Sequence, residues 1–396
     1  MPSLADRRLW FVGIGGAGLS GYAVVAKAWG AEVAGWDRYE TPYLEHVRAA
    51  GIPVNLSEEV EAAPDGFEAV VSTAFAGQVP GLTRAELLAE LVSQQDSIVV
   101  AGAHGKTTTA GMIAFVLDRL GLDPAFLIGG EIPQLGGNAR AGSGWLVVEG
   151  DESDRTIAVL RPRIAVVTNV DLDHHAEFAS RAEVEALFES FLAEAPEAVR
   201  GWELDPVELP LAVPGDHNRR NAATALAALA LVGVSREEAE PALAEFAGAG
   251  RRLERRGEAG GVTVVDTYAH HPAEIAADLA AAREGLDGRL LALFQPHLFS
   301  RTRHLAHELA GALAAADAVA VTDVYAAREQ PVAGVTGKLV VDALAELRPG
   351  ADVGWMPTVE EGARFVARRA RPGDLVLTIG AGDVDRAATL VLEELA

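Results

Sequence analysis

An apolar run, Ile98-Val99-Val100, leads into Gly102-Ala103-His104-Gly105-Lys106-Thr107-Thr108-Thr109, and this stretch constrains the chain more than any other. The run reads as a buried strand. Behind the loop, Met112, Ile113, Phe115, Val116, Leu117 and Leu120 recur at helical spacing, and Gly121 supplies the stop. Strand, glycine-containing loop, Lys-Thr and helix is the build of a nucleotide phosphate site. Backbone N–H groups and the helix N-terminus attract phosphate. Lys106 can reach the outer phosphates, and the Thr107 hydroxyl can ligate Mg2+. The spacing is shortened: the full pattern wants a glycine five residues before Gly105, where Val100 stands. A Gly-Lys-Thr helix start without a ligand is the alternative, and the flanking strand and helix favour the phosphate loop.

A second glycine turn lies near the start. Leu9-Trp10-Phe11-Val12 reads as a strand and runs into Gly13-Ile14-Gly15-Gly16-Ala17-Gly18. Leu19 and Ser20 then open a helix through about Trp29, closed by Gly30. The next strand, from Glu32, ends on Asp37, about 20 residues after the last glycine, as in the dinucleotide fingerprint. The glycines permit close approach to a pyrophosphate, and the acid can take ribose hydroxyls. A tight helix–strand turn without a ligand is the other reading. The strand Ala69-Val70-Val71 delivers a further small-residue loop at Ser72 and Thr73, which the same pyrophosphate can meet.

The chain has 396 residues, enough for roughly two to four domains. No run of about 18 apolar residues occurs, the N-terminus lacks a signal-peptide plan, and there is no cysteine. These features favour the cytoplasm, and no transmembrane helix is expected. A net charge of −24 argues against nucleic acid as a partner. An anionic substrate then needs local cations, for which Lys106, Arg251, Arg252, Arg301 and Arg303 are candidates.

The middle of the chain carries acids at strand ends. Trp145-Leu146-Val147-Val148 delivers Glu149-Gly150-Asp151-Glu152-Ser153-Asp154, either a Mg2+ site or a solvated acidic turn. The strand Ile164–Val170 ends at Asp171-Leu172-Asp173-His174-His175, where a histidine is either a metal ligand or an ordinary surface residue. Asn218 and Asn221 lie three apart at a helix start, suited to an adenine edge or to capping. Further on, the basic Gly250–Arg256 segment precedes strands that end in polar loops: Asp266–Pro272, Gln295–Arg303 and Gly380–Asp383. Open α/β sheets place ligands at such strand ends.

Taken together and in this order, these motifs resemble the Mur ligase superfamily, in its alanine-adding branch. The resemblance rests on Gly13–Gly21, Gly102–Thr109, Glu149–Asp154, Thr168–His174, His217-Asn218 with Asn221, Gly250–Arg252, Tyr268–Pro272, Phe294–His297 with Ser300–Thr302, and Gly380–Asp383. It implies a three-domain α/β architecture. Residues 1–94 form a Rossmann-like domain for a UDP-sugar, 95–249 a P-loop ATPase domain, and 250–396 a Rossmann-like domain for the amino acid. It implies ATP and Mg2+ as cofactors, and UDP-N-acetylmuramate and L-alanine as substrates joined through an acyl phosphate. Carried over residue by residue, Lys106, His174, His297 and Arg301 are catalytic. Gly102, His104, Gly105, Lys106, Thr107, Thr108, Asn218, Asn221, Arg252 and Asp266 bind ATP. Gly15, Gly16, Ala17, Gly18, Leu19, Ser20, Asp37, Ser72, Thr73 and His104 bind the UDP-sugar. Thr107, Glu149 and His174 hold metal. His270 and His271 are candidates for a general base.

Three departures from the family pattern stand out. The segment between His174 and His217 is shorter by several tens of residues, so a smaller central sheet is expected. Thr267 stands where the family has a second acid, weakening the expected ribose contact. Arg155 and His175 replace other residue types. Competing readings are a ligase that recycles a preformed peptide, a nucleotide-binding regulator without catalysis, and, from the first glycine turn alone, a nicotinamide dehydrogenase.

Overall fold

A computed structural model describes residues 3–171, 178, 180–327 and 329–396. Three parallel-rich sheets follow one another along the chain. The first contains β1 (Arg8–Val12), β2 (Glu32–Asp37), β3 (Val54–Leu56), β4 (Glu68–Val71) and β5 (Leu82–Thr83), in the order β3-β2-β1-β4-β5. All its pairings are parallel. Helices α1 (Ala17–Ala28), α2 (Tyr43–Ala49) and α3 (Arg84–Ser93) accompany it. Thr83 caps α3 in a capping box with Glu86, which fixes where that helix begins.

The second sheet contains β6 (Ser97–Ala101), β7 (Ala125–Ile132), β8 (Gly137–Arg140), β9 (Leu146–Glu149), β10 (Ile164–Val167) and β11 (Glu197–Arg200). Its order is β11-β10-β6-β9-β7-β8, so the phosphate-loop strand β6 is central, between β10 and β9. Helices α4 (Lys106–Arg119), α5 (Arg181–Ala193), α6 (Asp216–Val232) and α7 (Arg236–Ala244) belong to this stretch of the chain. Between β11 and α6 the one regular element is a short 3-10 turn, Gly201–Glu203, followed by the irregular stretch 204–215. The glycine-rich stretch after Ile128, which shows no alternation in sequence, forms an antiparallel hairpin of β7 and β8 with a register shift between Leu127 and Ile132.

Residues 1–211 and 220–247 form one compact unit holding both of these sheets. One apolar core runs through both sheet regions, including Phe11 and Leu19 from the first and Val99, Leu127 and Phe188 from the second, and a separate cluster of Trp10, Val12, Trp36, Ala69 and Val71 covers the other face of the first sheet. Burying each such side chain contributes roughly 1.5–3 kcal/mol. Helix α1 lies so close to the hairpin that a Cβ on Gly21 would stand 2.8 Å from Ala139 Cβ.

The second compact unit comprises residues 212–219 and 248–396. Its sheet contains β12 (Glu254–Ala259), β13 (Val262–Thr267), β14 (Leu290–Phe294), β15 (Ala318–Val321), β16 (Asp352–Trp355) and β17 (Leu375–Ile379). The order is β12-β13-β17-β14-β15-β16, with only the β12/β13 pair antiparallel. Helices α8 (Pro272–Arg283), α9 (Phe299–Leu313), α10 (Lys338–Leu347), α11 (Val359–Ala367) and α12 (Arg386–Leu395) complete the unit. The basic segment after Gly250 is partly an edge strand, β12, whose charges face solvent, as edge strands require. The polar segment after His297 becomes helix α9 at Phe299 rather than continuing as loop. Among the described residues, no helix is long and apolar enough to cross a membrane.

Candidate functional site

The phosphate loop is held in place from β10. Thr168 Oγ1 donates to the His104 carbonyl at 2.6 Å, and Asn169 Nδ2 donates to the same carbonyl at 2.8 Å. The His104 N–H returns to Asn169 Oδ1 at 3.0 Å. Gly102 lies at φ +130°, where a Cβ would meet Thr168 Oγ1 at 2.1 Å. Gly105 is the N-cap of α4 at φ +79°, and a Cβ there would meet Asn221 Oδ1 at 2.4 Å. Both positions therefore demand glycine. Asn221 stands against the loop, in the same unit. Thr107, Thr108 and Thr109 are buried in the first turn of α4.

Lys106 folds back over the loop. Its Nζ donates to the Gly102 carbonyl at 2.6 Å, the Ala103 carbonyl at 3.3 Å and Glu152 at 3.0 Å. Burial opposes its charge, but Glu152, Glu149 and Asp151 outweigh it and hold the ammonium above its ordinary pKa. Burial pushes Glu152 up as well, to about 7, despite Lys106 beside it. Thr107 Oγ1 donates to Glu149 Oε2 at 2.9 Å, and the Gly129 N–H donates to the same oxygen at 2.7 Å. A Cβ at Gly129 would stand 2.8 Å from that carboxylate, so a larger residue there would displace Glu149 from this position. His174, His175 and Asp173 lie outside the described residues.

The first glycine turn is built from its own neighbours. The Gly15 N–H donates to Asp37 Oδ2 at 2.7 Å, and the Arg38 N–H to Asp37 Oδ1 at 2.7 Å. Thr41 Oγ1 donates to the Gly15 carbonyl at 2.7 Å. Asp37 thus braces the turn with one oxygen and the following backbone with the other. Gly13, at φ +86°, faces Ser72, whose Oγ a Cβ would meet at 2.6 Å, so the Ser72-Thr73 loop and the turn are adjacent. Gly16 is the N-cap of α1 without a side-chain cap, and Gly18 lies in its first turn. Leu19 and Ser20 follow in that helix and are buried.

In the second unit, Asp266 has no exposed surface. It is bound by Arg251 Nε at 2.9 Å and Thr378 Oγ1 at 2.5 Å, while Arg251 also donates to the Gly380 and Gly382 carbonyls at 2.7 and 3.1 Å. Arg251, a candidate from sequence for a substrate cation, ties strand ends together in this structure. Thr267 Oγ1 donates to Asp278 Oδ2 at 2.5 Å, and His217 Nε2 lies 3.6 Å from Asp278 Oδ1. Burial pushes Asp278 up to about 7. Arg252 Nη1 lies 3.5 Å from Glu274, and Asn218 Nδ2 donates to the Pro214 carbonyl at 2.6 Å. His297 stacks on Tyr325 and meets Arg301 at 3.2 Å, with His270 edge-on at 5.6 Å. Arg301 is only 8% exposed.

Sequence reasoning missed the roles of Glu152, Thr41, Arg84 and Asp278. Glu152 lay within the acidic run, but nothing in the run separates it from Asp151 or Asp154. The others act across long sequence separations.

Comparison with known proteins agrees with this organisation. Residues 8–96 match the Mur ligase family catalytic domain, 100–200 the Mur ligase middle domain, and 251–382 the Mur ligase glutamate ligase domain. The UDP-N-acetylmuramate–L-alanine ligase of Streptomyces coelicolor is 41% identical over 459 aligned positions, covering 100% of this chain and 99% of that protein. The enzyme of the same name from Thermobifida fusca is 38% identical, covering 98% and 96%. The crystal structure of the UDP-N-acetylmuramate-alanine ligase of Thermotoga maritima superposes with a TM-score of 0.80 at 25% identity, covering 98% of each chain. An alignment of 459 positions against 396 residues means the Streptomyces protein is longer by some tens of residues. On these matches and on its three sheets, the chain belongs to the Mur ligase family.

Proposed function

We propose that this protein joins L-alanine to the lactoyl carboxylate of UDP-N-acetylmuramate, with ATP converted to ADP and phosphate. The observation that carries the reading is the pairing, within one compact unit, of a braced phosphate loop and a separate glycine turn. Full-length relatives named for this reaction support it. We assign the UDP-sugar to residues 1–94, the nucleotide to 95–249 and the amino acid to 250–396.

In the first step a carboxylate oxygen attacks the γ-phosphorus and the bond to the β-phosphate oxygen breaks, giving an acyl phosphate and ADP. In the second, the alanine amine attacks the acyl carbon and loses a proton, and phosphate leaves. The first step brings two anions together. Lys106 and the N–H groups that open α4 would offset that charge, fixed in advance so that little reorganisation is needed. Holding the reactants in one site adds proximity. Arg301 has the geometry to pair with a carboxylate, and we assign it, with His297, to the amino-acid end. His217 sits with Asp278 in the second unit, and Asn218 and Asn221 are assigned to the adenine.

Mg2+ fits the donors present. The Thr107 hydroxyl and Glu149 carboxylate are paired oxygens beside the phosphate loop, and a hard divalent cation takes oxygen ligands. When bound it would neutralise phosphate charge; Thr107 and Glu149 would hold it, with His174 as a further assigned ligand.

The test is product analysis with ATP, Mg2+ and UDP-N-acetylmuramate, supplied with alanine, glycine, serine or a tripeptide. The expected result is one alanyl amide per ADP and phosphate released. Turnover with the tripeptide but not with alanine would contradict the reading.

A further inference from the structure

Arg84 is the first residue of α3, set there by the Thr83 cap, and its side chain reaches away from that helix. Nη2 donates to Asp154 Oδ2 at 2.9 Å and lies 3.5 Å from Asp151 Oδ2, both in the acidic loop after β9. The other arm rests on the first turn of α1: a Cβ at Gly18 would stand 3.0 Å from Nη1 and 3.3 Å from Cδ. All of these residues lie in the first compact unit.

There the cation depends on its partners: burial opposes its charge, and Asp154 and Asp151 are among the groups that restore it. The start of a helix carries partial positive charge and prefers anions. The first turn of α1 has no acidic residue, and its N-cap is a glycine without a side-chain bond. The Arg84 Nε is buried and has no partner among the described residues. Ser20, in the same turn of α1, is 3% exposed, and its hydroxyl also has no partner among them. Buried donors left unmet are unfavourable, so such groups point to a missing acceptor. A guanidinium matches phosphate oxygens in a bidentate manner, and the partial positive charge at the N-terminus of α1 favours the same anion.

We infer that Arg84 is a binding residue for the diphosphate of the sugar nucleotide, exchanging Asp154 and Asp151 for phosphate oxygens at the N-terminus of α1. The inference rests on the proposed function, which supplies the sugar nucleotide. It differs from a structural staple in one respect. A staple needs Asp154 as much as Arg84, whereas a binding residue is released by losing Asp154.

Calorimetric titration of UDP-N-acetylmuramate into the full chain and its variants separates the two. Arg84→Gln is expected to weaken binding about tenfold or more, the scale of one charge-assisted hydrogen bond. Arg84→Lys should recover part of the loss. UDP-N-acetylglucosamine has the diphosphate but no lactoyl carboxylate, and it should weaken by the same factor. Asp154→Asn should bind the sugar nucleotide as tightly as wild type or more tightly, and binding of an ATP analogue should be unchanged in every variant. Equal losses in Arg84→Gln and Asp154→Asn would overturn the inference. So would wild-type affinity in Arg84→Gln, or a loss confined to UDP-N-acetylmuramate. If Arg84→Gln does not fold, weaker binding by Asp154→Asn alone is enough to overturn it. Failure of the wild-type protein to bind any UDP-sugar would instead remove the proposed function.

Discussion

At the scale of single residues, the phosphate loop tolerates almost no change where its glycines turn. Gly102→Ala places a Cβ 2.1 Å from Thr168 Oγ1 at a φ of +130°, so both sterics and backbone oppose it. The expected outcome is a loss of ATP-analogue affinity of roughly tenfold or more, with the sugar nucleotide still bound; calorimetry on the variant checks both. Asp278 gives a pH signature. Its pKa is raised by burial from 3.8 in the unfolded chain to about 7 in the folded one. The folded state therefore keeps a proton that the unfolded state has lost, and stability falls as pH rises from about 4 to about 7. The groups facing it are Thr267, His217, Arg252 and Glu274, and burial holds His217 below its usual pKa, followed by repulsion from Arg252. Asp278→Asn removes that dependence, so melting temperatures of the variant should gain on wild type across this window and run parallel above it. Parallel curves throughout would contradict the assignment. Lys106 and Thr107 were legible in sequence because the loop between β6 and α4 fixes their places, and Glu149 because it ends the apolar run of β9. Arg84 and Asp278 were not, because their partners lie 67 and 11 residues away and no local pattern links them.

At the scale of elements, strands buried on both faces announced themselves as apolar runs: β1 and β6 stand where those runs predicted, and β10 starts where predicted but ends at Val167 rather than Val170. The β7–β8 hairpin did not, because its glycines interrupt any alternation while making room for Glu149. Edge strand β12 was hidden for the opposite reason, since its charges read as a solvated basic run. The end of β10 has a function that periodicity cannot show: Thr168 and Asn169 clamp the phosphate loop. Thr168→Val keeps the strand and deletes the hydroxyl bond. ATP-analogue binding should weaken about three- to tenfold, the worth of one buried neutral hydrogen bond, with no change in sugar-nucleotide binding. Equal weakening of both ligands would mean that the clamp serves the whole unit rather than the loop.

At the scale of the molecule, three sheets in series were legible from the order of the strand-end motifs, and each sheet is present. The second sheet has six strands, and residues 201–215, which carry one 3-10 turn, connect β11 to α6. What the sequence could not supply is the brace by which Arg84 joins the first turn of α1 to the acidic loop after β9, because it depends on tertiary packing. The central claim is that the two turns serve two different ligands at once. Titration of UDP-N-acetylmuramate into Lys106→Ala, alongside its turnover, tests this most directly. The account predicts a fall in turnover of a hundredfold or more, roughly what the loss of one charge-stabilising group costs, with sugar-nucleotide affinity within about twofold of wild type. Equal loss of turnover and sugar-nucleotide affinity would contradict it.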